Sequence, residues 1–354
     1  MKNILMCCSD LSYKGGMVSV VRGYLESPEW ADGDWRVTFI PTHRDASRAG
    51  LLACFARAVS KIAWMGVRGR IDVAHLHVSE RGSFLRKGFL VKMLRKMGIP
   101  VVLHHHGAEF DDYYAAASAR VKRFVAEVLA EADVNIVLSE RLRDSITSKA
   151  PGARVEAVYN SVVPVTPNPY DADRTHLVTL LGRLGKRKGA YDLLEAIART
   201  DKRLPADIRF CLCGDGEVSE VEARIDALGV RHRIAHVGWV DGEQKERILA
   251  DTMINVLPSY HEGLPMTILE TMGRGIPSIS TPVASIPEVV KDGENGYLVE
   301  PGDVDALADR ILTLATSPET RRRFSAEAHA LISSRFTLPK AIARLKEIYC
   351  EVMK

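Results

Sequence analysis

Pro258-Ser-Tyr-His-Glu262-Gly-Leu-Pro-Met-Thr-Ile-Leu-Glu270 follows the apolar run Met253–Leu257, and this stretch decides how the chain is read. The run has the length and composition of a buried strand. Gly263 permits a tight turn, and Pro265 is preorganised for the first position of a helix that the pattern carries through Met272. Strand, short loop and helix in that order make one step of an α/β layer. Glu262 then sits on the loop. Glu270 sits inside the helix among Ile268, Leu269 and Met272, where a charge is costly unless something binds it. The helix start between them, at Gly263 and Leu264, offers N–H groups and a positive dipole end suited to phosphate. Sugar hydroxyls on Glu262, a diphosphate at the helix start and ribose hydroxyls on Glu270 would lie in one line. Two glutamates at this spacing without companions would be a helix-end charge and a solvated side chain, so the rest of the chain has to supply the companions.

Outward from this stretch, strand-like runs alternate with helical ones in both halves of the 354 residues. The runs are 3–8, 36–40, 73–78, 101–105, 134–138 and 155–159, then 177–181, 208–213, 234–237, 253–257 and 278–280. Such alternation predicts parallel sheets covered by helices. A chain this long exceeds one ordinary core, so two domains are expected. Pro164-Val-Thr-Pro-Asn-Pro-Tyr-Asp-Ala-Asp173 is proline-rich and lacks periodicity, which reads as a linker. The expected division is 1–164, a linker at 165–173, 174–336, and a terminal helix over 337–354.

Three further constellations carry chemistry. Lys14-Gly15-Gly16-Met17 follows the first strand and leads into a helix; adjacent glycines let backbone amides approach a phosphate or sugar oxygen, although a plain turn is the commoner fate of such a pair. Gly182-Arg183-Leu-Gly-Lys-Arg-Lys188-Gly189 ends the first strand of the second half, where Arg183 can fork onto a diphosphate and Lys188 adds a point charge. His104-His105-His106-Gly107 closes another strand. Alternation puts His104 and His106 on one face and His105 on the other, so the three cannot share a metal without distortion. His75 and His77 form a similar pair on a neighbouring run. A four-histidine zinc site is disfavoured because no carboxylate or cysteine completes a recurring pattern, and no metal is expected. His77 lines an acceptor cleft or serves structure.

Together these strings resemble the retaining GT-B-fold glycosyltransferases of family 4. The stretch 258–270 is similar to their donor-site signature, and Gly182–Gly189 matches G-R-L-x-x-x-K-G in spacing. The resemblance implies two Rossmann-like parallel-sheet domains facing a deep interdomain cleft, the first binding acceptor and the second the nucleotide sugar, with the last helix crossing back to the first. It implies catalytic roles for His106, beside the transferred sugar, and Glu262. It implies donor binding by Gly15, Gly16, Arg183, Lys188, Gly263, Leu264 and Glu270. Two departures stand out: Asn160-Ser-Val replaces Asn-Gly-Val, and Pro282-Val-Ala-Ser-Ile-Pro-Glu288 lacks a Gly-Gly pair. The expected activity is metal-independent, retaining transfer of a hexose from a UDP- or GDP-linked sugar to a glycan, lipid-linked in surface polysaccharide or glycolipid synthesis. A sugar-nucleotide epimerase or hydrolase, or a silent binding subunit of the same fold, is the alternative.

Composition fits a globular enzyme, with 46% apolar and 26% charged residues. No run of eighteen apolar residues exists and Met1–Leu5 enters a strand directly, so no spanning helix and no signal peptide are expected. The six scattered cysteines lack zinc spacing and read as reduced thiols in cytoplasm. Net charge is +3 but uneven: residues 1–100 hold 16 Lys/Arg against 8 Asp/Glu. Arg81–Met97 alone has six cations and no acid. Its apolar stripe, Leu85, Phe89, Leu90, Met93, Leu94 and Met97, beside a basic face predicts a helix docking on an anionic membrane, or else a solvated helix face. Nucleic acid is not an expected partner, since total charge is low and no nucleic-acid motif appears.

Overall fold

The computed structural model describes residues 1–31 and 33–354, and the chain divides into two compact units, Met1–Ser161 with Leu338–Lys354, and Val162–Thr337. The first unit is built on six parallel strands: β1 (Lys2–Cys8), β2 (Trp35–Pro41), β3 (Val73–Val78), β4 (Val101–His105), β5 (Val134–Val137) and β6 (Val155–Ala157). They lie in the order β2-β1-β3-β4-β5-β6. The helices Arg48–Val67, Gly82–Lys96 and Ala119–Glu131 close one face over Leu5, Cys7, Leu76 and Leu103. On the other face Tyr24, from the helix Gly16–Glu26, and Tyr349, from the helix Leu338–Val352, pack against β3.

The second unit repeats the plan with β7 (Leu177–Leu181), β8 (Arg209–Cys213), β9 (Ile234–Gly238), β10 (Thr252–Leu257), β11 (Ser278–Ser280) and β12 (Gly296–Leu298). Their order is β12-β11-β10-β7-β8-β9, again all parallel. The strand order reverses between β1 and β3 in one sheet and between β7 and β10 in the other. Ligands of open α/β sheets bind outside the carboxyl ends of the strands at such points. The Gly15-Gly16 loop leaves β1, and the loops 182–189 and 258–265 leave β7 and β10.

Several expectations need correction. The proline-rich segment expected as a linker is part of the second unit. Val165 N donates to Gly273 O at 3.0 Å, Tyr170 Oη to Met253 O at 2.9 Å, and Arg321 Nη2 to Ala172 O at 2.6 Å. Proline here removes donors without freeing the segment, because groups that remain, donors and acceptors alike, bond to the rest of the unit. Pro265 caps its helix rather than starting it: its φ of −69° suits both places, but ψ is 124° and the helix is Met266–Met272. Pro282–Glu288 manages without glycine by holding Ala284 at φ 46°, a left-handed conformation that glycine would adopt without strain.

The basic face foreseen on Arg81–Met97 is largely consumed. Lys87 is buried, Lys92 bridges Glu127 and Glu131 at 2.9 and 2.8 Å, and Arg95 pairs with Asp133 at 2.8 Å. The expectation of no helix long and apolar enough to span a membrane also changes. Arg48–Val67 meets that test by length and composition, and few of its residues are buried. Arg57 and Lys61 interrupt its apolar run, which hid it in the sequence. The six cysteines are unbridged, and Cys7, Cys8, Cys211 and Cys213 are buried.

Candidate active site

In the second unit the predicted residues gather at the β7/β10 switch point. Ser259 and Glu262 leave the end of β10, while Arg183 and Lys188 leave the end of β7. Lys188 Nζ meets Glu262 Oε1 at 2.5 Å, and Ser259 Oγ donates to the same oxygen at 2.7 Å. Both charged side chains are nearly enclosed, 12% and 6% exposed. The two loops are laced together: Tyr260 N donates to Arg187 O at 2.9 Å and Arg187 Nη1 to His261 O at 3.2 Å. Gly189 makes this approach feasible. Its φ is +68°, and a Cβ there would collide with the Pro258 carbonyl.

Arg183 stands apart with 70% of its side chain exposed, its nearest acid being Asp215 at 3.9 Å. It is an available guanidinium. Glu270 is held by Lys245 at 2.5 Å, so the cation that makes its place in the helix tolerable comes from the preceding helix, Gly242–Ala250. Leu264 is buried, and Gly263 O accepts from Ser285 N at 3.3 Å, which fixes the entry to the helix.

In the first unit Gly15 precedes the helix that starts at Gly16, with φ +149° and open space where a Cβ would be. His106 lies just past β4, where its N–H donates to Val78 O at 2.8 Å. Its side chain belongs to an array the sequence only half disclosed. His77 and His104 are in register on β3 and β4, so alternation puts His75, His77, His104 and His106 on one face. His75 Nε2 meets His104 Nδ1 at 3.1 Å with ring centroids 5.2 Å apart, so this pair is joined edge to edge. His77 Nδ1 meets His106 Nε2 at 2.9 Å with centroids 5.1 Å apart, a second such pair. The pairs stack, with 4.2 Å between His75 and His77 and 4.3 Å between His104 and His106. Tyr349 Oη closes one end on His75 Nδ1 at 2.5 Å.

Nitrogens of His75, His77 and His104 fall within 4.8 Å of one another, a separation that admits a metal ion. The ring geometry fits one poorly. Imidazole lone pairs lie in the ring plane, and the rings of His75 and His77 occupy separate layers, so the lone pairs do not converge. Burial pushes the imidazoles down, to about 3 for His75 and His106 and about 4 for His105, and well below the usual range for His77 and His104. All five are neutral.

Sequence reasoning missed Ser259, Lys245 and Tyr349. Ser259 was within reach, three residues before Glu262 on the same loop. Lys245 and Tyr349 arrive from distant segments and carry no local signal.

Comparison with known proteins identifies the family of both halves. The family described as "Glycosyl transferases group 1" matches residues 170–330, and "Glycosyl transferase 4-like domain" matches residues 11–161. An alpha-D-kanosaminyltransferase of Streptomyces kanamyceticus is 27% identical over 300 residues, covering 79% of this chain and 78% of its own. Among solved structures, a sucrose-phosphate synthase from Thermosynechococcus elongatus superposes with TM-score 0.80 at 18% identity, covering 99% of both chains. Anabaena HepE in complex with UDP and glucose superposes with TM-score 0.78 at 17% identity, covering 99% of this chain and 100% of its own. The two matched regions fall one in each sheet unit, and the chain belongs to the group 1 glycosyltransferases of family 4, with the GT-B fold.

Proposed function

We propose that this chain transfers a hexose from a nucleotide-diphosphate sugar to a lipid-linked glycan, with retention at the anomeric carbon and without a divalent metal, in surface polysaccharide or glycolipid assembly. The observation that carries the reading is the Lys188–Glu262 pair at the β7/β10 switch point with exposed Arg183 on the same loop. Arg183 and Lys188 stabilise the negative charge that a leaving diphosphate develops, Glu262 accepts from sugar hydroxyls, and Glu270 accepts from the ribose. Gly15 and Gly16 bring backbone amides to the donor, and His106 contacts the sugar. The bond from the anomeric carbon to the phosphate oxygen breaks while the bond to the acceptor oxygen forms on the same face, and the acceptor proton passes to the leaving phosphate. HepE is the neighbour whose structure contains UDP and glucose, which supports a uridine nucleotide as the first donor to try.

A thermal-shift screen of UDP, GDP and ADP in EDTA tests the donor half. A nucleotide present at a hundredfold over its Kd stabilises the native state by about 2.7 kcal/mol, so one of the three is expected to raise Tm by several degrees, and turnover with its hexose conjugate is expected to persist in EDTA. Activity lost in EDTA and rescued by manganese would overturn the metal-free mechanism. A new sugar nucleotide formed without acceptor would identify an epimerase instead.

The acceptor half rests on a membrane surface, here assigned to the helix Arg48–Val67 at the inner leaflet rather than to Arg81–Met97. It exposes Leu52 (73%), Trp64 (48%) and Val67 (82%) beside exposed Arg57 and Lys61, and Phe55 reaches exposed Phe89 at 6.1 Å between ring centroids. Each cation near an anionic surface contributes about 1 kcal/mol and fades with salt. Sedimentation with vesicles containing phosphatidylglycerol is expected at low salt. It should weaken at high salt and in the combined variant Leu52→Ser, Arg57→Gln, Lys61→Gln, Trp64→Ser. Equal recovery in the supernatant with neutral and anionic vesicles would remove the membrane claim and leave the transferase assignment intact.

A further inference from the structure

We infer that His77 is a positioning residue that fixes His106 as the Nδ1–H tautomer, so that His106 meets its ligand as a hydrogen-bond donor. The proposal rests on the reading of His106 as the sugar contact. A neutral imidazole carries one proton, on one of two nitrogens. His77 Nδ1 faces His106 Nε2 at 2.9 Å, and His77 Nε2 is buried with no partner. A proton on that orphaned nitrogen would be a buried donor without an acceptor, and orphaned donors are rarer and costlier than under-satisfied acceptors. The His77 proton therefore sits on Nδ1 and points at His106. Nε2 of His106 then has to accept, which leaves its only proton on Nδ1. Neighbouring rings restrain this arrangement: His75 stacks on His77 at 4.2 Å between centroids, and Tyr24 lies at 6.1 Å.

The direction of this bond decides what His106 can do. With Nδ1–H it donates to a sugar hydroxyl oxygen and holds the sugar in the orientation the reaction needs. With the opposite tautomer it would present a lone pair and would instead need a hydroxyl proton. Histidines that hold ligands are commonly oriented by such a second partner on the far nitrogen.

Nitrogen-15 spectra of histidine-labelled protein test the tautomer directly. His106 is expected to show a protonated Nδ1 and a bare Nε2; the reverse pattern overturns the inference. Kinetics test its consequence with two isosteric replacements. In His77→Asn the side-chain amide donates from the place of Nδ1, and kcat should stay within about threefold. In His77→Asp the same place can only accept, which reverses His106, and kcat should fall about a hundredfold with little change in donor KM. Equal kcat in the two variants, with both folded by thermal melt, would also overturn it. If spectra show Nδ1–H while His106→Ala keeps full kcat, then the tautomer stands and the sugar role of His106 fails.

Discussion

Glu262→Gln is expected to lower kcat by about 10²–10³-fold while leaving donor KM within a few-fold, because in the proposed mechanism its carboxylate contacts the sugar where positive charge develops. The structure adds a second expectation that the sequence could not supply. Lys188 and Glu262 are each other's counter-ion in an enclosed place, 12% and 6% exposed, and removing one partner strands the other. Breaking a buried pair on one side costs about 3–5 kcal/mol, whereas removing both is far milder. Lys188→Met and Glu262→Gln should therefore each reduce the stability of the second unit, and the double variant should be more stable than the sum of the singles predicts. Denaturant unfolding of the four proteins gives the coupling energy, expected at about 1–3 kcal/mol. Strict additivity would mean that the pair is not formed in solution. In the proposed mechanism Glu270 and Arg183 hold parts of the nucleotide remote from the reacting carbon, so Glu270→Ala and Arg183→Ala should raise donor KM with smaller effects on kcat.

The first unit is expected to lose stability on mild acidification, between pH 6.5 and 5. Burial keeps His75, His77, His104, His105 and His106 neutral in the folded protein, pushing His75 and His106 down to about 3, His105 to about 4, and His77 and His104 well below the usual imidazole range. In the unfolded chain an imidazole titrates near 6.5. Below that point the unfolded chain takes up protons the folded one refuses, so stability falls as pH falls, and it is fully present above 6.5. Each of these imidazoles therefore withdraws stability as pH falls below 6.5, and because four of the rings touch one another their costs are linked and do not simply add. Native carboxylates begin to matter only near pH 4–5, which leaves the window above pH 5 to the imidazoles. Thermal melts at pH 7.5, 6.5, 5.5 and 5.0 should show a falling Tm for the first unit. A Tm unchanged down to pH 5 would mean that the array is solvated or already charged.

Much of the scaffold was legible because strands buried on both faces are written as short apolar runs. β3, β4, β7 and β11 lie at the predicted bounds, and most other strands differ by a residue or two at an end. β12 escaped because Gly296-Tyr-Leu298 opens on the last residue of Asp292-Gly-Glu-Asn-Gly296, which reads as a turn. The site was legible where chemistry follows from local order: Glu262 after a strand, and Arg183 and Lys188 on the adjoining loop. It was illegible where partners come from elsewhere. Nothing near Glu270 announces Lys245, and nothing near Lys92 announces Glu127 and Glu131. The histidines show the same boundary. Period-two alternation puts pairs on a face, but their joining needs the register of β3 against β4, which no single strand encodes.

The membership of the last helix has a consequence for the order in which the chain matures during synthesis. Val162–Thr337 is one continuous stretch, so the second unit has all its strands once residue 337 has emerged. The first unit, although made first, lacks the residues that cover His75 until Leu338–Val352 follows, since Tyr349 is the partner that caps that ring and stacks on Trp30. Until then a nascent chain carries an open histidine face and an uncovered tryptophan. The half synthesised first is therefore the half completed last, and it is the one a chaperone would have to hold.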